Sequence, residues 1–92
     1  MKITGRLKVK NDTQKVSEEF RVREFVITDD SGSKPQHITF QAIQEMCEQL
    51  NDISIDEEMQ VSFKVRGREW KNPEGKVKHF NTLQATELAL VK

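Results

Sequence analysis

Residues 60–85, QVSFKVRGREWKNPEGKVKHFNTLQA, decide the fold of this 92-residue chain. Apolar Val61, Phe63 and Val65 alternate with Ser, Lys and Arg, and a period of two is typical of a strand with one buried and one solvated face. Pro cannot donate to a β-ladder and Gly tolerates positive φ, so the sequence Asn-Pro-Glu-Gly at 72–75 predicts a turn. The stretch therefore predicts a long β-hairpin.

The predicted hairpin has two chemically different faces. Its apolar sides coincide if Phe63 faces Ala85 and Val65 faces Leu83. The other face is then a basic ribbon with two aromatic rings, made of Lys64, Arg66, Arg68 and Trp70 opposite Gln84, Thr82, Phe80 and Lys78. Rings set among cations suit single-stranded nucleic acid, because bases stack on the rings while Lys and Arg contact the phosphates.

This face is the candidate site for weak binding of single-stranded nucleic acid, with DNA favoured over RNA and little sequence preference. The candidate residues are Lys64, Arg66, Arg68, Trp70, Lys78 and Phe80 of the strands, with Lys71 and Lys76 from the loop. The same side-chain types are also enriched at protein interfaces. The alternative hypothesis is therefore a protein partner or self-association through this face. A formal net charge of zero, which gives little repulsion between copies, favours a homo-oligomer.

Composition predicts one folded domain over residues 1–92. The chain is 35% hydrophobic and 33% charged, and its fifteen basic and fifteen acidic residues cancel. The field of the whole molecule therefore does not attract a polyanion, but the charges are unevenly placed. Every charged residue between Gln41 and Met59 is acidic, whereas the opening segment and the hairpin carry the excess of positive charge. This polarity favours the approach of a nucleic acid to one side of the molecule.

No motif in the sequence specifies a reaction, a metal site or a cofactor, so a non-catalytic protein is expected. Cys47 is the only cysteine, which excludes an intrachain disulfide and a cysteine-based metal cluster. His79 falls at an inward-phase position opposite Glu69, which favours a structural hydrogen bond over a general base. The lack of a long apolar run and of a signal-peptide hydrophobic region predicts a cytoplasmic location.

Three more strands are predicted before the hairpin. The first spans Lys2–Lys10 and alternates throughout. Asn11–Glu19 has no apolar period and is expected to be a loop. The second strand, Phe20–Thr28, changes phase midway, which predicts a bulge near Arg23-Glu24. A turn-rich segment then leads to a short third strand, Gln36–Phe40.

One amphipathic helix is predicted over residues 41–50, because its apolar residues recur at three and four positions. The resulting order predicts an all-β OB fold, a five-stranded antiparallel Greek-key barrel with one α-helix between strands three and four. Its ligand face would use strands two and three with the loops Asn11–Glu19 and Lys71–Val77. An RRM would need a second helix, and an SH3-like barrel would not readily house this one. The predicted core comprises Ile3, Leu7, Val9, Phe25, Ile27, Ile38, Phe40, Val61, Phe63, Val65 and Leu83.

Short segments along nearly the whole chain also carry a family resemblance. They are Ile3-Thr4-Gly5, Arg23-Glu24-Phe25-Val26, Val61-Ser62-Phe63, Arg66-Gly67-Arg68-Glu69-Trp70, Phe80 and Leu83-Gln84-Ala85. Together they resemble the bacterial family catalogued as domain of unknown function 3127. The resemblance implies an OB fold related to single-stranded DNA-binding proteins and assigns no activity. The chain departs from the family pattern at Asp56-Glu57-Glu58, in place of a Gly-Asp turn, at Thr86, in place of an aromatic residue, and in having no tyrosine.

Overall fold

The computed structural model describes residues 1–91, which contain six strands and two short helical segments. The strands are β1 (Lys2–Lys10), β2 (Gln14–Ser17), β3 (Phe20–Asp29), β4 (Gln36–Ile43), β5 (Glu58–Lys71) and β6 (Val77–Leu90). Between β4 and β5 lie the helix α1 (Met46–Gln49) and a 3₁₀ helix (Leu50–Asp52). Neither helical segment of this part of the chain is long and apolar enough to cross a membrane.

The strands form one sheet in the order β1-β5-β6-β4-β3-β2, and an additional pairing of β1 with β3 closes a barrel. Five strands therefore enclose the core, in the connectivity expected from the sequence. The sixth strand, β2, extends the sheet from β3 and was expected to be loop. The barrel is also not wholly antiparallel, because β4 and β6 run parallel where Gln41 meets Gln84.

The first strand changes partners along its length. Lys2 to Arg6 pair with β5, whereas Arg6 to Lys10 pair with β3, and an irregularity falls between Leu7 and Val9. Gly5 lies just before this change, and a Cβ atom placed there would clash with the carbonyl oxygen of Thr28 and the side chain of Ile27. Glycine thus permits the close approach of β1 and β3 that closes the barrel.

The barrel core is built around phenylalanine rings. Phe25 and Phe40 are fully buried and stack with centroids 5.6 Å apart, and Phe63 meets Phe40 edge-on at 5.1 Å. The prediction is correct for the buried members Leu7, Phe25, Ile27, Phe40 and Val61, while Ile3, Ile38, Phe63 and Leu83 are partly buried against them. It is wrong for Val65, which is 50% exposed, and Val9 is only partly covered.

The predicted helix is mostly replaced by other structure. Ala42 and Ile43 belong to β4, where they pair with Arg23 and Val22. Gln44 then takes a left-handed conformation with φ 55°, which ends the strand before α1 begins. Three hydrogen bonds hold this residue: its backbone N–H donates to the Arg21 carbonyl, and its side-chain amide bonds the Arg21 N–H and the Glu19 carbonyl. These tertiary contacts override the helical period.

The bulge expected near Arg23-Glu24 is absent from the pairing of β3 with β4, which runs unbroken from Val22 to Asp29. The irregularities of the sheet within residues 1–91 fall on β1, on β2 between Lys15 and Ser17, and in the β5–β6 pairing at Ser62/Phe63. Because β3 keeps its phase, Phe20 and Val22 lie on the face opposite Phe25. We call this side the outer face of the barrel.

Strands β5 and β6 continue well beyond the barrel as a two-stranded arm (residues 64–83). Pairing with β1 covers β5 only up to Ser62, and every residue of β5 from Lys64 onward is exposed. Eight residues at about 3.3 Å each give the arm a length of roughly 26 Å. The arm raises the Cα radius of gyration to 14.7 Å, compared with about 12 Å for a compact domain of this length.

Candidate functional site

The register of the arm is the one predicted from the sequence. Phe63 pairs with Ala85 and Val65 with Leu83. The basic ribbon follows, with the pairs Lys64↔Gln84, Arg66↔Thr82, Arg68↔Phe80 and Trp70↔Lys78. Six of the eight predicted site residues therefore share one face of the arm, and this basic face continues onto the outer face of the barrel through Gln84, whose partner on β4 is Gln41.

The tip of the arm is a well-defined turn. Asn72 accepts the Lys76 N–H on its side-chain oxygen at 2.8 Å, and its own N–H donates to the Lys76 carbonyl at 2.9 Å. Gly75 has φ 87°, the left-handed region that the sequence predicted for a glycine here. The turn fixes the phase of both strands, and so it fixes which side chains share the basic face.

Lys71 and Lys76 do not join the basic face. The prediction placed both in the loop, but β5 continues through Lys71, which pairs with Val77. Alternation then places Lys71 on the face opposite Trp70, alongside Glu69 and His79. Lys76 lies in the turn itself. These two cations lie at the tip of the arm, away from the face that carries Lys64, Arg66, Arg68 and Lys78.

Several cations of the barrel are engaged in internal hydrogen bonds, whereas in the described part of the chain the lysines of the arm are not. Arg21 binds Glu48, which raises the pKa of its guanidinium, Arg23 donates to Asn51 at 2.8 Å, and Lys10 donates to the Ile53 carbonyl at 2.8 Å. These bonds tie strands to the α1 region. Within residues 1–91, by contrast, no side-chain hydrogen bond or ion pair engages the ammonium groups of Lys64, Lys71, Lys76 and Lys78. They can contact an anion without giving up an internal partner.

The two exposed rings of the basic face are not equivalent. The side chains of Trp70 and Phe80 are 48% and 44% exposed. The Arg68 guanidinium lies over the Phe80 ring, 5.6 Å from its centroid, so that one face of Phe80 already has a cation–π partner. Trp70 has no such contact among the described residues and is the freer platform for stacking.

A groove of about 510 Å³ runs between the arm and the outer face of the barrel. Arg66 and Arg68 form one wall, and Gln84 accepts a hydrogen bond from Arg66 at 2.9 Å. The lining also includes polar Gln41 and Thr82 and a set of apolar side chains, Val16, Phe20, Val22 and Ile43. The groove thus combines fixed positive charge with an apolar surface that can contact the flat face of a base.

The four apolar residues of the groove were missed in the sequence. Phe20 and Val22 were assigned inward through a bulge that does not exist, and Ile43 was assigned to the helix. The signal that identifies Phe20 and Val22 is the unbroken alternation of β3, because a strand without a bulge must carry Phe20, Val22 and Glu24 on the side opposite Phe25. Val16 lies in the segment expected to be loop.

Two other predicted features take clear places in the structure. Cys47 is buried and its Sγ lies 3.5 Å from the Ala42 carbonyl oxygen; burial raises the pKa of the thiol, as for an unreactive core cysteine. His79 faces Glu69 as predicted, with Nε2 3.2 Å from Oε1, but the pair is solvent-exposed and not inward.

Comparison with known proteins identifies the family of the chain and a solved structure of similar fold. The sequence model of the family described as domain of unknown function (DUF3127) matches residues 2–88. The chain belongs to the DUF3127 family. No curated protein sequence matches this DUF3127 member significantly. Its structure is similar to that of Rim1, described as a mitochondrial single-stranded DNA-binding protein of S. cerevisiae, with a TM-score of 0.71 over 100% of this chain and 93% of that chain. The identity is 15%, so the similarity concerns the fold.

Proposed function

We propose that this DUF3127 protein is a non-catalytic module that binds single-stranded nucleic acid along the basic face of the arm and the adjoining groove. The observation that carries the proposal is the joint placement of a half-exposed Trp70, the unengaged Lys64 and Lys78, and the groove with its apolar residues on one continuous surface. The similarity of fold to a protein described as binding single-stranded DNA supports the same class of ligand.

The charge distribution supports this track over other surfaces. Residues 64–78 hold six of the fifteen Lys and Arg residues and only two of the fifteen acids. The arm is therefore strongly cationic while the rest of the chain is net acidic, which directs a polyanion to the arm and away from the barrel. Backbone phosphates would follow the cations, and the bases would turn toward Trp70 and the groove.

Trp70→Ala should weaken binding to a single-stranded oligonucleotide by roughly fivefold to more than a hundredfold, since a stacked base contributes about 1–3 kcal/mol. The measurement is the anisotropy of a fluorescein-labelled oligonucleotide titrated with protein at low salt. In the wild type, Trp70 fluorescence gives a second readout, because Trp70 is the only tryptophan.

His79→Ala is the matched control for this experiment. It removes an exposed ring from the opposite face of the same arm, where the proposed track does not run. We expect it to bind like the wild type. Equal binding by Trp70→Ala and the wild type, or an equal loss in both variants, would contradict the assignment of the basic face.

A second candidate function is self-association or binding of a protein partner through the arm. It is favoured by Val65 and Val77, which are 50% and 45% exposed on the face opposite Trp70, because an isolated two-stranded ribbon leaves apolar side chains in water on both sides. We expect sedimentation velocity to show a dimer or larger species at high protein concentration that Val65→Lys returns to monomer. A wild-type protein that is monomeric at every concentration would exclude self-association, and both faces of the arm would then be accessible to another partner.

A further inference from the structure

The outer face of the barrel carries a carboxylate, Glu24, that has no role in the binding proposed above. Glu24 is an exposed residue of β3, and its side chain has no hydrogen-bond partner within residues 1–91. It lies directly beside Gln41 of β4, whose side-chain amide is equally unengaged. An anion on a surface that approaches phosphates is unfavourable unless it meets a different part of the ligand.

The position of Glu24 indicates which part of the ligand it would meet. One row of side chains crosses the outer face from β3 to β5, through the pairs Glu24↔Gln41, Gln41↔Gln84 and Gln84↔Lys64. Three strand spacings separate its ends by about 14 Å along the sheet. The row is negative at β3 and positive at β5, so a strand whose phosphates follow Lys64 and the arm directs its bases toward Glu24.

Two hollows beside Glu24 offer space for a base. One, of about 460 Å³, is lined by Glu24, Thr39, Gln41, Asn81 and Thr82 among others, and also borders His37. The second, of about 370 Å³, places Glu24 with Gln41, Asn11, Gln14 and a second acid, Asp12. Both fall within the range of about 300–1,000 Å³ that is usual for small-ligand sites, and both contain polar groups that can bond a base edge.

We propose, on the basis of the proposed function, that Glu24 is a base-reading position that favours guanine over thymine. A carboxylate only accepts hydrogen bonds, and its two oxygens match the adjacent N1–H and N2–H donors of guanine. Thymine offers a single N3–H between two carbonyl oxygens, one of which would face a carboxylate oxygen. The preference concerns one position of a track that elsewhere contacts phosphates and stacks bases without regard to sequence.

The test compares labelled 12-mers of thymine alone, of thymine with isolated guanines, and of thymine with hypoxanthine in place of each guanine. Hypoxanthine keeps the N1–H and lacks the N2 amino group. We expect the wild-type protein to bind the guanine probe about fivefold to a hundredfold more tightly than the thymine probe, with hypoxanthine between them. Glu24→Gln, which replaces one acceptor by a donor, should bring the three affinities together.

Glu69→Gln is the matched control, because it removes the same charge from the arm face that lies away from the groove. Both variants lose one repulsion toward phosphates, so the ratio between probes, and not the absolute affinity, is the decisive quantity. Circular dichroism melts verify that each variant is folded. Equal binding of all probes by the wild type, or a ratio that survives in Glu24→Gln, would overturn the inference and leave the proposed function standing. If no oligonucleotide bound at all, both would fall.

Discussion

Phe40→Ala should lower the free energy of unfolding by about 3–5 kcal/mol, the usual cost of removing a fully buried aromatic side chain. Phe40 stacks on Phe25 and meets Phe63 edge-on, so its loss leaves a cavity that these two rings, on two other strands, cannot easily fill. A chain of 92 residues has a total stability of roughly 5–14 kcal/mol. The variant would therefore lose a large share of its stability, and urea unfolding followed by circular dichroism measures the change.

Phe80→Ala provides the comparison, since it deletes the same side chain from the exposed arm. Its ring is 44% exposed and contacts the Arg68 guanidinium, so we expect a loss of less than about 1 kcal/mol. A loss at Phe80 as large as that at Phe40 would mean that the arm belongs to the cooperative core. A Phe40→Ala protein as stable as the wild type would contradict the barrel packing itself.

The sequence was sufficient for the arm because two independent signals agree there. Alternation assigns side chains to faces, and the Asn72–Gly75 turn fixes the phase between the two strands, so each pair from Phe63↔Ala85 to Trp70↔Lys78 follows. Alternation does not reveal how far along a strand the rest of the barrel covers its apolar face. Val65 has the right phase for the core, yet it is exposed because β5 has by then passed beyond its pairing with β1.

Strand β2 and the structure of residues 42–50 could not be predicted, for opposite reasons. All four residues of β2 are exposed, so the strand has no buried face to impose a period on its sequence. The segment 42–50 has a clear period that fits a helix, but Ile43 also fits the alternation of β4, and the pairing with Val22 together with the three bonds of Gln44 decides for the strand. Such long-range contacts are not visible in a local pattern.

The candidate site shows the same limit. The basic face was found because it lies on one hairpin, where local alternation is enough. The groove was not, since its lining combines apolar residues of β2, β3 and β4 with Arg66 and Arg68 of β5. Only the closed order of the barrel strands brings Phe20 next to the arm. The bulge assumed in β3 assigned Phe20 to the inner face, so its true position on the outer face was not recognised.

The largest effect expected on binding is that of salt. If four or five cations of the arm meet phosphates, the logarithm of the affinity should fall with the logarithm of the salt concentration with a slope of about −3, at roughly −0.7 for each contact on a single strand. A tenfold rise in salt should then weaken binding about a thousandfold. Anisotropy titrations of one labelled oligonucleotide at several salt concentrations measure this slope.

Removal of two contacts should reduce the slope by a known amount. Lys64→Gln with Lys78→Gln neutralises two ammonium groups that have no internal partner, so the slope should fall to about −1.5 while the fold is unaffected. Lys8→Gln with Lys34→Gln makes the same change of net charge at exposed positions outside the arm and the groove. This control should keep the slope near −3, because the slope counts phosphates that are contacted locally and is insensitive to the overall charge. Equal slopes in the two double variants would place the phosphates elsewhere, and a binding constant independent of salt would exclude phosphate contacts from the interaction.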